Sequence, residues 1–170
     1  DNGAAIQAPI KILNCNAGFK GRKGTLYEGG IRVPFIVNQP GMVPIQTLDN
    51  LIYFPDMMPT LAALAKGTKH LPKQINGINI LPLFYGKQVD TDNRLLYWEF
   101  PGKQRAARKG DWKCVTIHPN QPLELYNLKE DPEETNNLAK KYPRRVKEFD
   151  EEMQRMHIPT PNWPQPGEQF

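Results

Sequence analysis

Long apolar runs are missing from this chain of 170 residues. No stretch of eighteen uninterrupted apolar residues occurs, so no membrane-spanning helix and no membrane partner are expected. Cysteine is nearly absent. Cys15 and Cys114 stand too far apart for a thiolate metal motif, and either one disulfide or two unpaired thiols fits them. Histidine is limited to His70, His118 and His157, which fall in a connector, a turn and a helix end, where surface positions are expected. A strong excess of one charge sign is also lacking, because 22 basic residues are interleaved with 18 acidic ones for a net +4. The basic pairs Lys140-Lys141 and Arg144-Arg145 share their segment with Glu148, Asp150, Glu151 and Glu152. That mixture reads as a solvated helix face, and no nucleic-acid partner is expected.

What the chain has in quantity is turn chemistry, with 17 prolines and 13 glycines among only 39% hydrophobic residues. Residues 1–30 read as loop. The run Ile31-Arg32-Val33-Pro34-Phe35-Ile36-Val37 reads as a strand buried on both faces, with Pro34 at an edge or bulge. A helix is expected to start near Asp56, to present Leu61, Leu64 and Ala65 on one face, and to be capped by Gly67. Four short strands follow over 95–100, 104–108, 112–117 and 123–126. Their short links, such as Lys109-Gly110-Asp111, favour an antiparallel meander. Asp131-Pro132-Glu133-Glu134 has the composition of a helix start. A longer helix is expected from Pro143 to about Met156, with Val146, Phe149, Met153 and Met156 on the face that covers the meander. The tail beyond Ile158 carries four prolines and is expected to be extended.

Two short stretches carry chemistry. Asp1-Asn2-Gly3 places a carboxylate and an amide oxygen side by side, as hard cations require, although the same tripeptide is also an ordinary turn. Lys23 stands between Arg22 and Gly24, with Gly21 just before. Glycines let an anion approach the backbone, and a lysine there is a compact charge able to stabilise an oxyanion. Alone, it is an exposed loop lysine.

The residues that follow decide between these readings. Lys23-Gly24-Thr25-Leu26-Tyr27-Glu28-Gly29-Gly30-Ile31-Arg32-Val33-Pro34 resembles the sulfatase segment K-G-T-x-Y-E-G-G-x-R-x-P. Similarity continues in order through residues 56–65, residues 105–113, and Leu125-Tyr126-Asn127-Leu128 to Ala139. The resemblance implies an α/β fold, α+β within this stretch. Residues 1–93 would close the catalytic α/β domain. Residues 94–158 would form a four-stranded antiparallel sheet packed with a C-terminal helix, and residues 159–170 a proline-rich tail.

The same resemblance implies roles for particular residues. Asp1 and Asn2 match Ca²⁺ ligands, and Lys23 matches the lysine that contacts the sulfate. Glu28 is expected to be structural, with Arg32 as its partner. Glu99, Lys103 and Gln104, beside the first hairpin, are candidates for the substrate pocket. In this family the nucleophile is a formylglycine made within C-x-P/A/S-x-R. Neither Cys15, with Phe19 four residues on, nor Cys114, with His118, has the arginine. The expectation is therefore the C-terminal portion of a periplasmic or secreted sulfuric ester hydrolase, inactive alone. Its partners would be a sulfate ester or sulfated glycan, the N-terminal part of the same enzyme, and a second copy meeting it through residues 31–37. A non-catalytic glycan- or protein-binding module and a phosphate or phosphonate ester hydrolase are the alternatives.

Overall fold

A computed structural model describes residues 3–5, 7, 13–100, 104–118, 120–162, 164 and 169. Two compact units emerge, one from residues 1–34 with 95–170 and the other from residues 35–94. Among the described residues no helix is long and apolar enough to cross a membrane.

The first unit is built on the expected meander. Strands β1 (Leu95–Phe100), β2 (Gln104–Lys109), β3 (Trp112–Thr116) and β4 (Glu124–Asn127) lie in sheet order β1-β2-β3-β4, every neighbour antiparallel. Gly110, at φ +55°, supplies the left-handed residue in the tight link between β2 and β3. Alternation sends successive side chains to opposite faces, and both faces are covered.

On one face Ala107, Cys114 and Leu125 meet Phe149 and Met153. These last two project from a helix spanning Pro143–Met156, which begins with proline at its first position, where no N–H is needed. Phe149 and Met153 are buried and Val146 packs beside them, whereas Met156 remains exposed. On the opposite face Ala106, Val115 and Tyr126 pack against Leu26 and Tyr27. Residues 24–28 thus run along β2: Gly24 lies against Gln104, and Glu28 against Arg108. Both cysteines are free thiols, Cys15 exposed and Cys114 buried in the sheet.

In the second unit a 3-10 turn, Phe54–Asp56, leads into a helix over Met57–Leu64. The buried Asp56 carboxylate accepts the backbone N–H groups of Tyr53 and Ile78, each at 2.9 Å, and both guanidinium nitrogens of Arg94 at 2.6 Å. A buried charge needs such complete pairing. The helix ends one residue earlier than expected of a glycine cap. Lys66 takes the left-handed conformation at φ +56°, and its N–H reaches the Ala63 carbonyl while that of Gly67 reaches Ala62.

Two further expectations are corrected. Residues 31–37 do not form a strand. Glu28–Ile31 is a single helical turn, closed by the Arg32 N–H on the Glu28 carbonyl, and residues 32–39 have no ladder partner among the described residues. An apolar run becomes a strand only where another strand satisfies its backbone, and Pro34 has no N–H to offer. Residues 131–134 do not start a helix either. The Asp131 carboxylate accepts the backbone N–H groups of Thr135 and Asn136, and Glu134, at φ +55°, turns its side chain inward.

Candidate functional site

The lysine loop lies over two glycines. A Cβ on Gly29 would sit 2.6 Å from the Lys20 carbonyl oxygen, and one on Gly30 2.1 Å from that of Thr25 and 2.6 Å from that of Arg22. Any side chain there would push the loop off its seat, which is the physical content of the Glu-Gly-Gly corner. The loop also closes on itself. Thr25 N–H donates to the Arg22 carbonyl at 3.0 Å, and the Thr25 hydroxyl donates to the same oxygen at 2.9 Å. Lys23 N–H donates to the Ala4 carbonyl at 2.9 Å. The Lys23 side chain is exposed and, with Ala5, Gln7, Arg22, Gly24 and Thr25, borders an open hollow of about 420 Å³. Among the described residues neither Arg22 nor Lys23 pairs with a carboxylate.

Of the three pocket candidates near the first hairpin, the structure brings one to this loop. Gln104 donates its carboxamide N–H to the Gly24 carbonyl at 2.9 Å. Glu99 projects from the other face of the sheet, where it accepts from the Tyr97 hydroxyl and pairs with His157 Nδ1 at 2.5 Å. His157 is therefore largely covered, a correction to its expected surface position; His70 and His118 are exposed. Lys103, Asp1 and Asn2 lie outside the described residues.

The anchor beneath the loop contains residues that sequence reasoning did not connect. Lys113, fully buried, places Nζ 2.8 Å from Glu28 Oε1 and 2.9 Å from Glu134 Oε1. Glu134 also accepts the Glu28 backbone N–H at 2.7 Å. Arg108 and Arg32 stand 3.6 and 3.8 Å from the second Glu28 oxygen, so the expected Arg32 contact exists but is the longer one. Burial holds the Glu134 carboxyl above its ordinary range, outweighing the pull of Lys113. One sequence signal pointed here. Lys113 shares its strand face with Val115, and a lysine on a buried face requires a counter-charge.

A second knot lies alongside. Tyr27 and Tyr126 donate their hydroxyls to Glu124 Oε2 at 2.7 and 2.6 Å, and Lys20 Nζ approaches the same oxygen at 3.3 Å. Burial pushes the Glu124 carboxyl up, but the two tyrosines and Lys20 together hold it below its usual value. Burial and the neighbouring carboxylate raise both phenols.

A lysine loop seated on a four-stranded antiparallel sheet with a covering helix is the architecture of a sulfatase C-terminal domain. A solved structure from the Bacteroides thetaiotaomicron locus for metabolism of multiple glycosaminoglycans superposes with TM-score 0.77 at 27% identity, over 91% of this chain and 36% of that one. Ps i-CgsB in complex with k-i-k-neocarrahexaose gives TM-score 0.72 at 25% identity, over 87% of this chain and 34% of that one. A sulfatase of Formosa agariphila is 30% identical over 84% of this chain. The N-acetylgalactosamine-6-O-sulfatase of Bacteroides thetaiotaomicron is 29% identical over 78% of it. The chain spans 30% and 29% of the lengths of these two relatives. The family model for N-sulphoglucosamine sulphohydrolase, C-terminal, matches residues 19–158, and the chain belongs to that family.

Proposed function

We propose that this chain is the sulfate-facing C-terminal part of a sulfuric ester hydrolase acting on a sulfated glycan. The observation that carries this reading is Lys23, within the family-matched residues, an exposed ammonium on a loop closed by hydrogen bonds between Thr25 and Arg22 and bordering an open hollow. Cleavage of a sulfate ester leaves negative charge on the departing oxygen while the sulfate remains anionic. A fixed lysine beside that group stabilises the charge as it develops. A sulfated glycan is favoured because Ps i-CgsB was solved with a neocarrahexaose and a further relative carries the name N-acetylgalactosamine-6-O-sulfatase.

The attacking group is proposed to be a formylglycine that neither cysteine furnishes. Cys114 is buried within the sheet, and Cys15 lacks the arginine of the modification motif. Ca²⁺ chemistry, if present, is neutralisation of sulfate charge. Asp1 and Asn2 are proposed ligands. The described residues hold no group of three or more His, Cys, Asp or Glu suited to a metal, so no step is routed through one. The 170-residue chain alone is expected to be inactive.

The test is hydrolysis of 4-nitrophenyl sulfate by the enzyme that contains this chain. Lys23→Ala is expected to lower kcat/KM by about 10²–10³-fold, the loss typical of removing one charge-stabilising donor. Unchanged hydrolysis by that variant, or turnover by the 170 residues alone, would sink this assignment.

A further inference from the structure

We propose that Gln104 is a positioning residue for Lys23, setting through the Gly24 carbonyl where the ammonium stands. The inference rests on the assignment of Lys23 to the sulfate.

The segment from Gly24 to Glu28 is held to the sheet at both ends, but by unequal means. At the Glu28 end the anchors are ionic and redundant: Lys113 at 2.8 Å, Arg108 at 3.6 Å and the Glu134 carboxylate on the backbone N–H. Leu26 and Tyr27 add buried apolar contact in the middle. At the Lys23 end, the described residues provide one hydrogen bond from the sheet to residues 21–25, from Gln104 Nε2 to the Gly24 carbonyl at 2.9 Å.

At Gly24 itself, side-chain packing does not replace it. Gly24 sits at φ +92°, and no neighbouring atom lies within 4 Å of where its Cβ would be. The peptide carrying its carbonyl is also held within the loop by Thr25 N–H on the Arg22 carbonyl, and Lys23 N–H rests on Ala4, but the Gln104 bond is the one that fixes this conformationally free glycine to the sheet. Gln104 makes this contact at a cost. It is only 9% exposed, and its Oε1 is buried without a partner among the described residues. A leucine of similar volume would remove the unpartnered Oε1 but would leave the Gly24 carbonyl without its donor from the sheet. The amide is there as a donor aimed at Gly24. Glu99 cannot share the task, because it lies on the opposite face with Tyr97 and His157.

The experiment pairs steady-state hydrolysis of 4-nitrophenyl sulfate with hydrogen exchange of residues 21–27, in the enzyme that contains this chain. Gln104→Leu removes the donor, Gln104→Glu replaces it with an acceptor, and Gln104→Lys restores an N–H of similar reach. The first two variants are expected to speed exchange in 21–27 about tenfold and to lower kcat about tenfold with KM nearly unchanged. Gln104→Lys is expected to recover both, which a variant that merely misfolds would not do. Unchanged exchange in both Gln104→Leu and Gln104→Glu overturns the proposal. So does a raised KM at constant kcat, which would make Gln104 a substrate-binding group. Loosened exchange with no sulfate hydrolysis by any form, wild type included, would preserve Gln104's hold on the loop and overturn the assignment of Lys23 to sulfate.

Discussion

Lys113 is a lysine without exposed surface, held between two glutamates that are themselves buried. Removing one member of such a cluster leaves uncompensated charge in a medium that solvates it poorly. Lys113→Met is therefore expected to lower the unfolding free energy by about 3–5 kcal/mol, measured by urea titration; a loss below about 1 kcal/mol would show that water reaches the glutamates. Glu124 yields a pH prediction. Its folded-state pKa lies below the ordinary 4.5, so the stability it contributes is complete above that value and is lost as pH falls through the folded value. Glu134 is raised above 4.5, so its contribution has the opposite sign, diminishing as pH rises from 4.5 through the folded value. Between about pH 5 and pH 3, Glu124→Gln is expected to lose stability less steeply than wild type. An identical acid slope would place the glutamate outside the linkage. At this scale the sequence exposed half the cluster. Glu28 is legible as a structural acid from its glycine corner, whereas its pairing with Lys113, 85 positions away, depends on strand register that no local pattern encodes.

Elements were legible where their boundaries are made by local chemistry. Lys109-Gly110-Asp111 forces a tight turn, Pro143 opens a helix, and the strands and helix fall within a residue of expectation. Elements that need a distant partner were not legible: residues 31–37 have strand composition but no ladder partner among the described residues. Asp131-Pro132-Glu133-Glu134 has helix-start composition, yet Glu134 is drawn inward by Lys113. The Pro143–Met156 helix offers a direct contrast between a core position and a rim position. Met153 is fully buried, so Met153→Ala is expected to cost about 2–5 kcal/mol; Met156, 38% exposed, should cost under about 1 kcal/mol. Equal losses in urea unfolding would mean that the helix does not seat on the sheet through Met153.

For the whole molecule, the apolar side chains left in water are concentrated in residues 35–64. Ile36 and Phe54 are each 86% exposed, and Phe35, Ile45, Met58, Leu61 and Leu64 join them. Exposed apolar side chains that adjoin one another mark surfaces that associate. The isolated 170-residue chain is expected to self-associate as its concentration rises, read by light scattering, and a constant monomer mass at high concentration would refute this. The lysine loop was legible as a motif, but its support was not. Gln104 stands out as its tether only once β2 is seen to run beneath Gly24.

The two cysteines divide the chain into a surface that can be written on and an interior that keeps time. Cys15 is open to solvent, while burial pushes the Cys114 thiol up to about 12, leaving it un-ionised as well as covered. An alkylating reagent would mark Cys15 in the folded chain and reach Cys114 only when the meander parts. The delay between the first added mass and the second is thus a clock for the opening of the sheet.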